Sequence, residues 1–451
     1  MGTPEVARSG VAVLVGHASE PFILISDGAE RASSWSLPST SVQGDPEDAA
    51  PIVSAVEELL GQPVTFLRMT THHESEEDRP MVFVVELQPI AGEAPPGHRW
   101  IPWSTLDPVA VEPREARDAF AWWVAGRAGA PRPLAPPWSH AGWFARASDW
   151  MMRRMTEMGR PASSPPRLHY LWCLAAVLRA ESPGGALFMK ASPLFFRHEG
   201  LVTRQLGARC PGLVPTVVDV EPAEGWMLME DHGGVALGEQ PPNRWARGLE
   251  TIAEIQRAWT GHTDELVALG ARIRPLDALA QAVPSLIEQD AIGPHLSADD
   301  AGRWNTAVPA LVEACHRLAD LGPPDTVAHG DLHPWNVVVR DHRDLVFDWT
   351  DAAVSHPFVD LLTYLIRTTD LEARREMLRT YLGCWGDVLP PDQLREAGEL
   401  ALVVSGLYQV EAYLHIVTRL DPADAATFDG APADWMRKTL RALADGIGAA
   451  W

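Results

Sequence analysis

Short runs rich in β-branched residues stand at 11–16 (VAVLVG), 22–26 (FILIS) and 81–87 (MVFVVEL), parted by turn formers, and read as strands. Between the last two, residues 48–60 set Ile52, Val53, Val56, Leu59 and Leu60 on a helical period that Gly61 closes. One helix among strands predicts a small α/β unit. A second helical pattern over 112–128 leads into GAPRPLAPPW, whose prolines and lack of periodicity mark a linker and a domain boundary. Beyond it the pattern predicts a helix at 139–158. Apolar runs at 168–178 and 186–191 then flank Ser182-Pro183-Gly184-Gly185, as two antiparallel strands joined by a turn would. Residues 197–209 read as a helix, 216–220 and 226–230 as two more strands. From about 241 onward helical periodicity dominates, broken by a strand pair around 336–348. The order predicts an α/β domain, then a small β-rich lobe, then a larger helical lobe.

Composition narrows the function classes. The chain has 451 residues, too many for one compact core, so several domains or lobes are expected. Lys plus Arg number 37 against 60 Asp plus Glu, a formal charge of −23 that repels phosphate backbones and argues against nucleic acid as a partner. Cys173, Cys210, Cys315 and Cys384 show no C-x-x-C spacing, as expected of free thiols in a reducing cytoplasm. The opening MGTPEVARSGVAVLVGH has no signal-peptide pattern, and no run of about 18 apolar residues is evident. A cytoplasmic chain without membrane contact is expected.

The chemistry concentrates in one stretch. His329-Gly330-Asp331-Leu332-His333-Pro334-Trp335-Asn336 is followed by VVVR, the polar turn DHRD and LVFDW, a hairpin pattern. A turn centred on His342 puts Asn336 opposite Asp348, and cross-strand partners lie about 5 Å apart. Magnesium takes hard oxygen ligands and only one or two from protein, which an amide oxygen from Asn336 and a carboxylate from Asp348 supply. Asp331, five residues before Asn336, is placed in a loop to orient or accept the proton of an attacking hydroxyl.

These residues carry a resemblance. HGDLHPWN followed by LVFDW resembles the catalytic loop and metal-binding strand of aminoglycoside phosphotransferases and choline kinases, relatives of the protein kinases. The resemblance, over roughly residues 139–445, implies a two-lobed, protein-kinase-like α+β fold. It implies Asp331 as catalytic base, His329 as support of the loop, and Asn336 and Asp348 as magnesium ligands. In SHPFVDLLTYL it implies that Asp360 braces the catalytic loop from a helix start. Lys190, ending LFMK, and Glu199, opening the next helix, match the family's phosphate-holding pair. WMLMED resembles the interlobe linker, so the backbone near Met229, Glu230 and Asp231 is expected to read adenine. No G-x-G-x-x-G precedes Lys190, where HYLWCLAAVLRAES is bulky, and this leaves the choice between ATP and GTP open.

Residues 8–128 resemble a Nudix hydrolase fold, with strands, WSLPST, a helix ending EELLG, and WIPW. Counted back from Gly61, the motif's first glycine falls on Thr40, its first glutamate on Pro46, its Arg-Glu pair on Ser54 and Ala55, and its later glutamate pair on Glu58 and Leu59. With one carboxylate left, a Nudix-like domain without hydrolase activity is expected, serving as cap, dimer surface or ligand sensor. His72-His73 reads either as a metal site or as a solvated loop. The expected organisation is 1–130 Nudix-like, 131–138 linker, 139–232 N-lobe with a leading helix, and 233–451 helical C-lobe. The expected activity is ATP-dependent, magnesium-dependent phosphorylation of a hydroxyl on a small polar metabolite or antibiotic. A protein acceptor, or a catalytically inactive regulatory protein, is the alternative. Thr350, Asp351 and the helices near 408–415 are candidate acceptor contacts. Asp351, Glu411 and Asp421 read either as sites for cationic groups or as solvated acids.

Overall fold

The computed structural model describes residues 8–27, 34–43, 49–72, 82–87, 90–129, 132–340 and 343–449. It divides into two compact units, one of residues 1–194 and 420–427, the other of residues 195–419 and 428–451.

The first unit opens with β1 (Arg8–Leu14), β2 (Phe22–Ser26), β3 (Ser39–Gln43), α1 (Ala49–Leu60), β4 (Phe66–His72), β5 (Val82–Leu87), β6 (His98–Pro102) and α2 (Arg117–Arg127). β1 pairs antiparallel with β3 and parallel with β5, which pairs antiparallel with β4, giving the order β3-β1-β5-β4. Val11 to Leu14 are all buried, as an apolar run in a central strand requires. β2 pairs separately with β6. α1 buries Ile52, Val56 and Leu60 of the expected set together with Ala49, while Val53 and Leu59 are half-buried, and it ends at Gly61 with a positive φ of 66°. Glu58 on its far face is exposed. Phe120 and Trp123 of α2 pack on Ile23 and Ile25.

After α3 (Trp143–Glu157) come β7 (Arg167–Trp172), β8 (Ala175–Ala180) and β9 (Leu187–Ala191), an antiparallel meander. The apolar run 168–178, expected as one strand, is thus two. The chain reverses at Cys173-Leu174, with Trp172 opposite Ala175. Cys173 is buried, so the turn faces the interior and lacks the Gly, Asn or Asp that marks an exposed one. The expected pairing across 182–185 is present, with Lys190 opposite Val177. Of the His72-His73 pair, His73 and both side chains lie outside the described residues.

The second unit begins with α4 (Glu199–Arg209) over the hairpin β10 (Val217–Glu221) and β11 (Trp226–Glu230). Gly200 permits the close approach, since a methyl group there would stand 3.0 Å from Met227 Cβ. α5 (Ala246–Trp259), β12 (Arg272–Ile273) and α6 (Ala298–Leu321) follow. Next come β13 (Thr326–Ala328), β14 (Val337–Val339), β15 (Leu345–Val346), β16 (Ala353–Ser355) and the short α7 (Leu361–Leu365). α8 (Leu371–Gly383), α9 (Pro391–Val417) and α10 (Ala431–Asp445) complete the unit. Trp259, Trp304, Trp349, Trp385, Tyr364, Tyr381 and Tyr408 are wholly buried in one core. α9 is the axis of that core. An 18-residue window of it reaches a mean hydropathy of 1.5, apolar and long enough to cross a bilayer, which the sequence reading passed over, yet 67% of that window is buried within the protein. At Gly406 α9 touches α10 so closely that a methyl group would stand 2.4 Å from Thr439 Oγ1.

Candidate active site

The loop from His329 to Asn336 leaves the C-terminal end of β13, a fully buried strand paired with β16. At Gly330 the chain takes φ 88°, and a methyl group there would lie 2.5 Å from the Asp351 carbonyl oxygen, so only glycine fits. Asp360, 2% exposed at the start of the helical turn into α7, accepts from His329 N–H (2.9 Å) and from Gly330 N–H (2.8 Å) through its two carboxylate oxygens. Gln256 on α5 donates to the same carboxylate (3.3 Å) and to the Pro357 carbonyl (3.0 Å), while Tyr381 donates to Gln256 (2.7 Å). Burial pushes the Asp360 carboxyl up, and the loop N–H groups and His329 pull it back. On the other side, Gln409 of α9 donates to the Gly330 carbonyl (2.5 Å).

His329 is fully buried, with Nε2 2.9 Å from the Phe347 carbonyl and Nδ1 accepting from Asp331 N–H at 3.3 Å. That pattern fits the neutral ring with its proton on Nε2. It couples the loop to the strand end before Asp348. Asn336 donates from Nδ2 to the Asp331 carbonyl (3.0 Å), which leaves its Oδ1 as the acceptor atom. The Asp331 side chain is 44% exposed, and His333 Nε2 lies 3.8 Å from it. Burial holds the His333 ring below its ordinary pKa.

The hairpin differs in register from the sequence expectation. Val337 pairs with Val346 and Val338 with Leu345, and Phe347 N–H donates to the Asn336 carbonyl (3.0 Å). The pairing is therefore one step off the expected register, and Asn336 faces Phe347 rather than Asp348. In a regular strand that one-residue offset sends Asp348 to the opposite face. Instead Asp348 adopts φ 64°, the single non-glycine positive φ among the described residues. Such backbone costs about 1–3 kcal/mol and collects at functional sites. Its Oδ1 accepts from the Thr350 hydroxyl (2.6 Å).

Asp351 follows. Its carboxyl is pushed up to about 7, by burial first, then by Asp331, with Asp348 adding to it against the pull of Arg274 and Arg272. Three carboxylates thus bear on one region, a repulsion that a divalent cation relieves. No three His, Cys, Asp or Glu side chains form a metal cage among the described residues. Asn336 Oδ1 and the Asp348 carboxylate are the small oxygen set that Mg2+ accepts, and they fit that ion.

Other expected residues fall as follows. Lys190, 7% exposed on β9, lies in the first unit. Glu199, 1% exposed, opens α4 in the second. Met229 pairs with Val217 on β11, Glu230 N–H donates to the Thr216 carbonyl (3.0 Å), and Asp231 accepts from Gly233 N–H (2.8 Å). The Glu230 N–H is therefore spent within the hairpin. Glu411 pairs with Arg272 (2.8 Å) and with Arg274. Asp421 caps the short helix Pro422–Ala425 through Ala423 N–H (3.1 Å) and belongs to the first unit. Gln256, Gln409 and Arg274 escaped the sequence reading; the one signal for Gln256 is a polar residue within the apolar stripe of α5.

Residues 176–397, just under half of the chain, match the family model described as "Phosphotransferase enzyme family" (APH). The matched segment is similar to the phosphotransferase enzymes of that family. No curated protein matches the chain. Among solved structures it is similar to the macrolide 2'-phosphotransferase MphH from Brachybacterium faecium, with 17% identity over 65% of this chain and 98% of that one, TM-score 0.45. A choline/ethanolamine kinase family protein from Mesorhizobium loti gives 19% identity, 66% and 99% coverage, and TM-score 0.46. The choline kinase LicA from Streptococcus pneumoniae gives 15%, 65% and 98%, and 0.45.

Proposed function

We propose that this protein moves the γ-phosphoryl group of ATP or GTP to a hydroxyl of a small polar metabolite or antibiotic, with Asp331 as base and with Asn336 and Asp348 holding Mg2+. The observation that carries this reading is the clamp on the loop. Asp360 takes both N–H groups at its start, and Asn336 fastens its far end to the Asp331 carbonyl. The Asp331 carboxylate, 44% exposed, sits on a loop that these bonds hold, which supports its role as base. Phosphoryl transfer needs little beyond positioning and neutralised charge, so a rigid loop is the appropriate device. Bound Mg2+ would offset the negative charge of the phosphates. Asp331 orients the acceptor hydroxyl and takes its proton as the oxygen attacks. Lys190, Glu199 and the backbone of 229–231 keep the nucleotide-binding roles that the sequence resemblance implies for them. Asp351, whose carboxyl feels Asp331, Asp348 and Arg274, is the acceptor contact this reading favours.

The N-terminal residues 1–130 we read as a Nudix-like domain that has lost its hydrolase carboxylates, followed by the 131–138 linker and the lobes at 139–232 and 233–451, the whole working in the cytoplasm. Incubation with ATP, Mg2+ and a panel of aminoglycosides, amino sugars, choline, nucleosides and other antibiotics, read by mass spectrometry, tests the activity. A phosphorylated acceptor supports it and names the substrate class. No product, together with no nucleotide binding by calorimetry, points to a regulatory protein instead.

A further inference from the structure

Within the first unit a cavity of about 270 Å3 opens beside the end of α2, with Glu86, Arg127, Arg132, Ser139 and His140 in its wall. It shares no residue with the phosphotransfer site. Its charged groups are held in place by packing. The Arg132 guanidinium lies 3.5 Å from the centre of the Trp122 ring and rests on Gly126, where a methyl group would stand 1.8 Å from Nη2. Arg127 lies over Trp123 at 5.0 Å and against Gly16, where a methyl group would stand 2.6 Å from its Nη2. Two glycines therefore make room for two guanidiniums, fixing planar donor forks at a cavity wall.

The hydrogen bonding of this cluster is incomplete. Glu86, 6% exposed on β5, has no hydrogen-bond partner on Oε2, and the nearest cation there, Arg132 Nη1, stands off at 3.7 Å. Arg127 donates no hydrogen bond to any described residue, and Arg132 reaches only the Trp122 carbonyl, at 3.4 Å. Arg68, the third guanidinium of the group and the cross-strand neighbour of Glu86, forms an ion pair with Asp424 at 2.7 Å, with its Nε and Nη2 lacking hydrogen bonds. Asp421, bound to its own helix, makes no ion pair with Arg132 within 4 Å. A buried acceptor normally has its hydrogen bond, because leaving it open costs about 1–3 kcal/mol. Here a buried acceptor lacking a hydrogen bond on Oε2 and two half-buried guanidiniums line one cavity.

We propose that this cavity binds a small oxyanion that carries its own hydrogen-bond donor, with the anion on Arg127 and Arg132 and the donor, a hydroxyl or amine, on Glu86 Oε2. Phosphate with its own hydroxyl and a hydroxycarboxylate share that chemistry. The volume suits a small metabolite or a head group.

Calorimetry on the full chain at pH 7, without nucleotide, tests this with inorganic phosphate, glycerate and acetate. Saturable binding of phosphate or glycerate is expected, and the tighter of the two identifies the source; acetate, lacking a donor, binds more weakly. Arg127→Gln weakens binding about tenfold or more, the loss of a charge-assisted hydrogen bond. Arg127→Lys, which keeps the charge and loses the fork, falls between them and serves if Arg127→Gln does not fold. Lys190→Met, at the phosphotransfer site, leaves this binding unchanged. Absence of binding to wild type, equal binding by the Arg127 variants, or loss in Lys190→Met alone would each overturn the assignment.

Discussion

Both carboxylate oxygens of Asp360 accept backbone N–H groups, so Asp360→Asn turns one acceptor into a donor that faces a donor. The expected cost is about 1–3 kcal/mol in denaturant unfolding. A fall in kcat with nucleotide KM unchanged should accompany it, since the loop rather than the nucleotide site loses its anchor. Unaltered stability would show that the clamp is incidental. Asp351 gives a pH signature. Its carboxyl titrates near 7 in the folded protein against an ordinary 3.8, so the folded state holds the proton more tightly than the unfolded one. Raising pH through that window, from about 4 to about 7, therefore removes stability, and above it the loss is complete. In metal-free protein Asp351→Asn should flatten the unfolding free energy across that window; an unchanged slope would rule the assignment out. At this scale the reacting residues were legible because Asp331, Asn336 and Asp348 sit in a short ordered motif. Gln256, Gln409 and Arg274 were not, because each finds its partner 79 or more residues away, and spacing carries no trace of such a contact.

Elements show where sequence patterns mislead. The hairpin β14–β15 was legible as a hairpin, but a turn centred on one residue and a turn centred between two differ by one step, and a one-step slip changes the face of every side chain. At Asp348, just past the hairpin, the chain takes a positive φ of 64°, which a short polar side chain tolerates but does not by itself announce. The meander β7–β8 was hidden for a different reason: its turn is buried and therefore apolar. Two elements support the loop in ways that can be tested. Gly330→Ala places a methyl group 2.5 Å from a carbonyl oxygen at φ 88°, so the loop must shift. Activity should fall about 10²-fold through misplacement of the base while the unit stays folded by circular dichroism. Arg247 on α5 grips Asp344, before β15, through two hydrogen bonds of 2.5 and 2.7 Å, and Asp344 is 4% exposed. Arg247→Ala strands that carboxylate; because the arginine itself is one-third exposed, about 2 kcal/mol of destabilisation is expected in denaturant titration.

For the whole molecule, the sequence order of an α/β region, a strand-rich region and a helical region matches the order of elements, because strand and helix periods are read locally. The return of residues 420–427 to the first unit was not legible, since local pattern does not record which unit a segment joins. The N-terminal region is expected to lack hydrolase activity, as its helix α1 keeps one exposed motif glutamate, Glu58. Full-length Asp331→Ala protein, given Mg2+ and a set of nucleoside diphosphate derivatives, should release no product by chromatography; metal-dependent hydrolysis would reverse that reading.

The most direct test of the phosphotransfer site is acceptor-dependent ADP release from ATP and Mg2+, measured side by side for wild type and Asp331→Asn with nucleotide affinity checked in both. The expected result is a fall of about 10²–10⁴-fold in kcat with nucleotide binding retained. Equal turnover by Asp331→Asn would contradict the assignment of the base and with it the reading of the loop.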